Sequence, residues 1–119
     1  MHNKIVATLI TGAFLTLQSA NLFAGWESIL SRNVGWTILG SKTIEGWQDR
    51  GKRKQDGFEG CDYDRVIYFM DGTRATCVSY GYQYAFMPTA IILGRNVTVQ
   101  GKALTILKMV VEGDEYDLR

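Results

Sequence analysis

Arg65-Val66-Ile67-Tyr68-Phe69-Met70-Asp71-Gly72-Thr73-Arg74-Ala75-Thr76-Cys77-Val78 sets two runs rich in strand-forming residues on either side of an Asp-Gly dipeptide. Asp-Gly between two such runs is the strongest short-range signal for a β-hairpin, because glycine at the second turn position takes a positive φ at no steric cost. A two-residue turn at Asp71-Gly72 pairs Met70 with Thr73 and Val66 with Cys77. The run that follows, Val78-Ser79-Tyr80-Gly81-Tyr82-Gln83-Tyr84-Ala85-Phe86, alternates strictly. In an extended chain, Val78, Tyr80, Tyr82, Tyr84 and Phe86 then share one face, and the small or polar residues between them share the other.

The cysteines constrain this hairpin. Cys61 and Cys77 are the only two, and an isolated pair in a small domain reads as one disulfide. The Cys-x-x-Cys spacing of a redox-active pair is absent. If the first strand ran straight back from the turn, Cys61 would face Tyr82, on the order of 16 Å along the strand from Cys77. A disulfide needs Cα atoms within roughly 7 Å of each other. The chain before Arg65 is therefore expected to fold back, with Gly60 and Asp62 to Asp64 supplying the bend. The disulfide then pins the segment from Phe58 to Asp64 against the hairpin. The loop it closes gives about 3 kcal/mol in the chain-entropy model.

Outward from this centre the same pattern repeats. Val34 to Ile44 reads as a first strand, with Gly46-Trp47 closing it. Ala90 to Leu93 reads as a short strand after Pro88, Gly94-Arg95-Asn96 as a turn, and Val97 to Gln100 as a further strand. Gly101-Lys102 then turns into Ala103 to Val111, and Glu112-Gly113-Asp114 into Glu115 to Leu118. Trp26, Ile29 and Leu30 lie at helical spacing, so Gly25 to Asn33 is expected to form one or two helical turns. The expected fold is all-β with one short N-terminal helix: a small barrel or sandwich of about six to seven short antiparallel strands, clamped by one disulfide.

The N-terminus reads separately. Met1 to Lys4 is short and basic, Ile5 to Leu17 is almost wholly apolar, and small residues lead to Ala24. This is the layout of a secretory signal peptide over residues 1–24, with cleavage after Ala24 or, second, after Ala20. The apolar run is too short for a bilayer span of about 20 residues. Export to a periplasm or beyond the cell is the expectation, with residues 25–119 forming a single domain. Of 13 Lys and Arg only Lys4 precedes residue 25, so 12 face 12 Asp and Glu in that domain. Zero net charge lacks the basic excess of a nucleic-acid binder. The one His, His2, lies inside the signal. The domain thus has no imidazole for a catalytic triad, a His-ligated zinc or a pH switch.

Three groups of residues invite a functional reading. Tyr80, Tyr82, Tyr84 and Phe86 form either a binding face or part of the core. A domain this small needs buried apolar area, which favours the core. Tyrosine at three of the four positions keeps the binding face open, since each buried hydroxyl needs a partner. Arg50, Lys52, Arg53 and Lys54 form a candidate contact for an anion, although acidic residues flank the run and a solvated loop is the simpler reading. Asp62, Asp64 and the acids at 112–117 raise calcium or paired-carboxylate hydrolysis, but without an EF-hand spacing; turn and solubility roles account for them. Asn96-Val97-Thr98 matches the N-glycosylation pattern. No catalytic, metal or cofactor site is expected. The expected function is non-enzymatic binding of a protein or cell-wall glycan, of inhibitor or immunity type. The alternatives are a structural subunit of an envelope complex and a carboxylate-based hydrolase.

Overall fold

The computed structural model describes residues 25–119. The signal-peptide reading of residues 1–24 lies outside them. The described residues fall in two compact units, with Val34 ending the first and Gly35–Arg119 forming the second. In the first, residues 25–32 are helical, as the spacing of Trp26, Ile29 and Leu30 predicts. Asn33 closes the helix, its Nδ2 donating to the Ile29 carbonyl at 2.7 Å and its amide to that of Leu30 at 3.1 Å.

The second unit is a curled, half-barrel sheet of antiparallel strands: β1 (Thr37–Gln48), β2 (Gln55–Asp56), β3 (Val66–Phe69), β4 (Arg74–Thr76), β5 (Thr89–Val99), β6 (Lys102–Val111) and β7 (Asp114–Leu118). Their spatial order is β4-β3-β1-β5-β6-β7, with β2 added to β1. β1 bends the sheet. Its first half, Thr37 to Thr43, pairs with β5, and its second half, Ile44 to Gln48, pairs with β3, with irregularities at Ile38/Gly40 and Ile44/Gly46. Such bulges raise local twist and turn a flat sheet into a curved one. Gly46 lets β2 close in, since a Cβ there would lie 2.3 Å from the Gln55 carbonyl oxygen. The two ends of the sheet meet where Thr76 and Arg119 exchange backbone hydrogen bonds at 3.0 and 2.9 Å. Inside the curl, Phe58, Ile44, Ile67, Met109 and Val111 are fully buried, and Phe58 meets Tyr116 edge to face at 5.6 Å.

The disulfide forms as expected, with Cys61 and Cys77 Cα atoms 5.7 Å apart. The chain folds back in a turn in which the Arg65 amide bonds to the Asp62 carbonyl and Asp64 takes φ +66°.

Three expectations need correction. The hairpin register is slipped by one: Val66 pairs with Thr76, not Cys77, and the loop is Met70-Asp71-Gly72. A two-residue turn would need positive φ at Asp71 as well as Gly72. Only Gly72 takes it, while the Asp71 carboxylate accepts the Thr73 amide and hydroxyl and pairs with Lys42 at 2.9 Å. Those bonds hold that carboxyl well below the usual range, the Thr73 hydroxyl bond contributing most. Second, Gly94-Arg95-Asn96 is not a turn, because β5 runs unbroken from Thr89 to Val99. Gly94 is there for space. A Cβ on it would lie 2.6 Å from Leu39 Cδ1, where Leu39 bulges from β1. Third, β1 starts at Thr37 and continues through Gly46-Trp47 to Gln48. The last two turns fall one residue from the expected bounds: Gln100-Gly101 in place of Gly101-Lys102, and Glu112-Gly113 without Asp114, which already belongs to β7, with positive φ at all four turn residues. This is the type I′ geometry that matches strand twist.

Candidate binding surface

Residues 78–86 run extended between β4 and β5 without joining a regular strand. They are held at isolated bridges, Phe58 with Ala85, Cys61 with Gly81, and Cys77 with Leu118. Their inward face is bonded at every position. The Ser79 hydroxyl accepts the Asp117 amide at 3.0 Å. Gly81 lies on the Tyr116 ring, where a Cβ would be 2.9 Å from Cε1. Gln83 donates to the Val111 carbonyl at 3.0 Å and accepts the Tyr116 hydroxyl at 2.6 Å. Ala85 is buried. From the other side, Gly60 takes φ +84°, and a Cβ on it would fall 2.0 Å from the Gly81 carbonyl oxygen. Only glycine at position 60 lets the two segments come this close.

The outward face carries the aromatic residues. Tyr80 is 67% exposed, Tyr82 72%, Tyr84 70% and Phe86 76%, with Val78 at 39%. The favoured expectation, that this ladder belongs to the core, is overturned. The space beneath is already filled by Phe58 and the Tyr116 ring, so the backbone lies directly on the core and only small residues fit inward. Four such rings, on side chains of roughly 150–250 Å² each, leave on the order of 500 Å² of aromatic surface in water. A patch of this size ranks with the largest on a typical monomeric protein, and such patches often serve as contact sites.

Beside the ladder lies a shallow cleft of ≈ 210 Å³, lined by Tyr80, Gly81, Tyr82, Glu59, Cys61, Asp62 and Arg65. Its Arg65 is engaged internally: the guanidinium meets both Asp49 oxygens at 2.7 and 3.1 Å and sits 4.0 Å from the Trp47 ring centroid. That bond lowers the Asp49 carboxyl pKa, more than burial raises it. Tyr116 shifts the other way. Burial, helped by Asp114, raises its hydroxyl to about 12.

The structure places the other sequence-predicted residues elsewhere. Arg50, Lys52, Arg53 and Lys54 are exposed on the connection between β1 and β2, and none of them lines the cleft. Lys54 pairs with Glu45 and lies 4.6 Å from the Tyr68 ring centroid, and its ammonium pKa is raised chiefly by that carboxylate. Asp64 pairs with Arg119 at 2.8 Å. Among the described residues, no three His, Cys, Asp or Glu converge as a metal site would require. No described helix is long and apolar enough to cross a membrane. Sequence reasoning missed the anchoring roles of Gly60, Gln83 and Tyr116. The small residues at every second position of 79–85 are the signal that could have found them.

Comparison with protein-family models, with curated proteins and with solved structures finds no match to this chain.

Proposed function

We propose that this protein is an exported, non-enzymatic binding module that engages its partner through the outward face Val78, Tyr80, Tyr82, Tyr84 and Phe86. One observation carries the reading. Rings about 70% exposed stand on a backbone whose opposite face is anchored residue by residue. Tyrosines supply a large rigid contact with a polar tip, and a backbone already fixed loses little entropy on binding. The buried disulfide fits an oxidising compartment outside the cytoplasm. The lack of any His in residues 25–119 favours recognition over acid–base chemistry.

A structural subunit of an envelope assembly is the second reading. The β5–β6 hairpin favours it, because Val99, Leu104 and Ile106 are exposed where the two strands pair only with each other.

The test is affinity capture. The oxidised full chain and its Tyr82→Ser variant are immobilised side by side and exposed to envelope extract from the source cell. A component retained by the first and lost from the second supports the proposal. Equal retention by both moves the contact away from the ladder, with the Arg50 to Lys54 loop the next candidate.

A further inference from the structure

The molecule treats its own aromatic rings in a consistent way. Lys42 lies over Phe69 and pairs with Asp71; Lys54 lies over Tyr68 and pairs with Glu45; Arg65 lies over Trp47 and pairs with Asp49; Lys108 lies over Trp36 and pairs with Glu115. In all four cases a cation sits on the ring and a carboxylate neutralises it. A cation over a ring face gains from the ring's quadrupole, and the adjoining carboxylate adds a charge-assisted hydrogen bond.

At the ladder two of these three parts are present. Residues 77–88 carry no charge, and the segments running along either side, 58–64 and 114–118, carry only acids up to Arg65 and Arg119, which follow them. Glu59 and Asp62 adjoin Tyr80 and Tyr82 in the cleft. Asp117 lies beside Val78 and Ser79, bonded to both through its backbone. None of these three carboxylates forms an ion pair among the described residues, while Arg65, Lys108 and Arg119 are each paired with other carboxylates. Rings and carboxylates are in place, and the cation that lines the cleft with them, Arg65, is taken up by Asp49 and the Trp47 ring.

We infer that the partner presents the missing cations: an extended polypeptide segment rich in Arg, whose guanidinium groups stack on Tyr80, Tyr82 and Tyr84 while Glu59, Asp62 and Asp117 take up the charge. Arginine suits the site better than lysine because its planar group stacks on a ring and still donates in plane to a carboxylate. A neutral glycan would use the rings but would leave the one-signed charge of the frame uncompensated. The inference rests on the reading of the ladder as a contact face.

The test uses the oxidised full chain and four labelled probes of equal length: oligo-arginine, oligo-lysine, oligo-glutamate and a neutral β-linked N-acetylglucosamine oligomer. Affinity is read by fluorescence anisotropy against the unmodified chain, Tyr82→Ser and Asp62→Asn. Oligo-arginine is expected to bind most tightly and to weaken about tenfold in each variant, the size of one ring-stacked, charge-paired contact. Tyr82→Ser leaves the net charge unchanged, so equal oligo-arginine affinity in that variant would mean unspecific attraction and would overturn the inference. Tyr82-dependent binding of the neutral oligomer without oligo-arginine binding would also overturn it, yet would keep the ladder as the contact face. Binding of no probe overturns the cationic partner and leaves the contact face to the capture experiment.

Discussion

Two regions of this protein expose apolar side chains, and they are built in opposite ways. The ladder, residues 78–86, has almost no strand pairing of its own, yet it is fixed through a disulfide-anchored neighbour, a glycine-only approach and side-chain bonds to Gln83 and Ser79. The outer part of the β5–β6 hairpin, from Arg95 to Ile106, has continuous regular pairing and a type I′ turn. Beyond Gly94 and Leu107, however, it pairs with neither β1 nor β7. A two-stranded ribbon is only marginally stable alone in water. Regular secondary structure is therefore a poor guide to rigidity here. The irregular segment is the one whose aromatic face is held still.

Glycine substitutions should separate the two regions most sharply. Gly60→Ala puts a Cβ 2.0 Å from a backbone oxygen at φ +84° and is expected to lower unfolding free energy by more than about 3 kcal/mol, since neither segment can give way. Gly101→Ala, at φ +77° in the hairpin tip with nothing within 4 Å of the new Cβ, should lower it by only about 1 kcal/mol, the left-handed backbone penalty. Urea denaturation measures both. If the two losses are equal, the ladder is not held as described.

Replacing both Cys61 and Cys77 by Ser should come next, at about 3 kcal/mol. Native-state hydrogen exchange should report where it falls: the amides of Gly81 and Ala85 lose protection, whereas those of the β5–β6 tip change little. Tyr116→Phe comes third, removing the 2.6 Å bond to Gln83 at a cost of about 1 kcal/mol. It also carries a pH signature. The folded Tyr116 pKa, about 12, lies above its ordinary 10.0. Its stabilisation is therefore complete below pH 10 and is lost as pH rises toward 12. Tyr116→Phe should flatten that alkaline limb and leave the acid limb alone. The acid limb belongs in part to Asp49, whose folded pKa lies below its ordinary 3.8. That contribution is present above the ordinary value and is lost as pH falls below it, and Asp49→Asn should reduce the slope there. Ile106→Ser, on the exposed ribbon, is expected to change stability least, by less than about 0.5 kcal/mol.

Most of the architecture was legible in the sequence for definite reasons. Strand-forming runs between glycine turns gave the all-β fold, and the geometric impossibility of a straight chain from Cys61 to Cys77 gave the bend at Gly60 to Asp64. Two of the differences share a cause: at Gly94 and Gly46 a glycine that reads as a turn signal marks a close approach. At Gly94 the space is used by Leu39, and at Gly46 by the Gln55 carbonyl. The slip at Asp71 came from a side-chain bond to Thr73 that no propensity contains. The ladder was the hardest case. Strict alternation shows that a segment has two faces, but which one points inward depends on how much room lies beneath. Phe58 and Tyr116, distant in sequence, decide that.

The central claim is that the ladder's rings serve contact and not the fold. The most direct test is the urea midpoint of the full chain carrying Tyr80→Ser, Tyr82→Ser and Tyr84→Ser together. Side chains about 70% exposed should each contribute less than about 0.5 kcal/mol, so the midpoint should stay close to that of the unmodified protein. A loss of several kcal/mol, the cost of removing buried aromatic rings, would contradict the claim and return the ladder to the core.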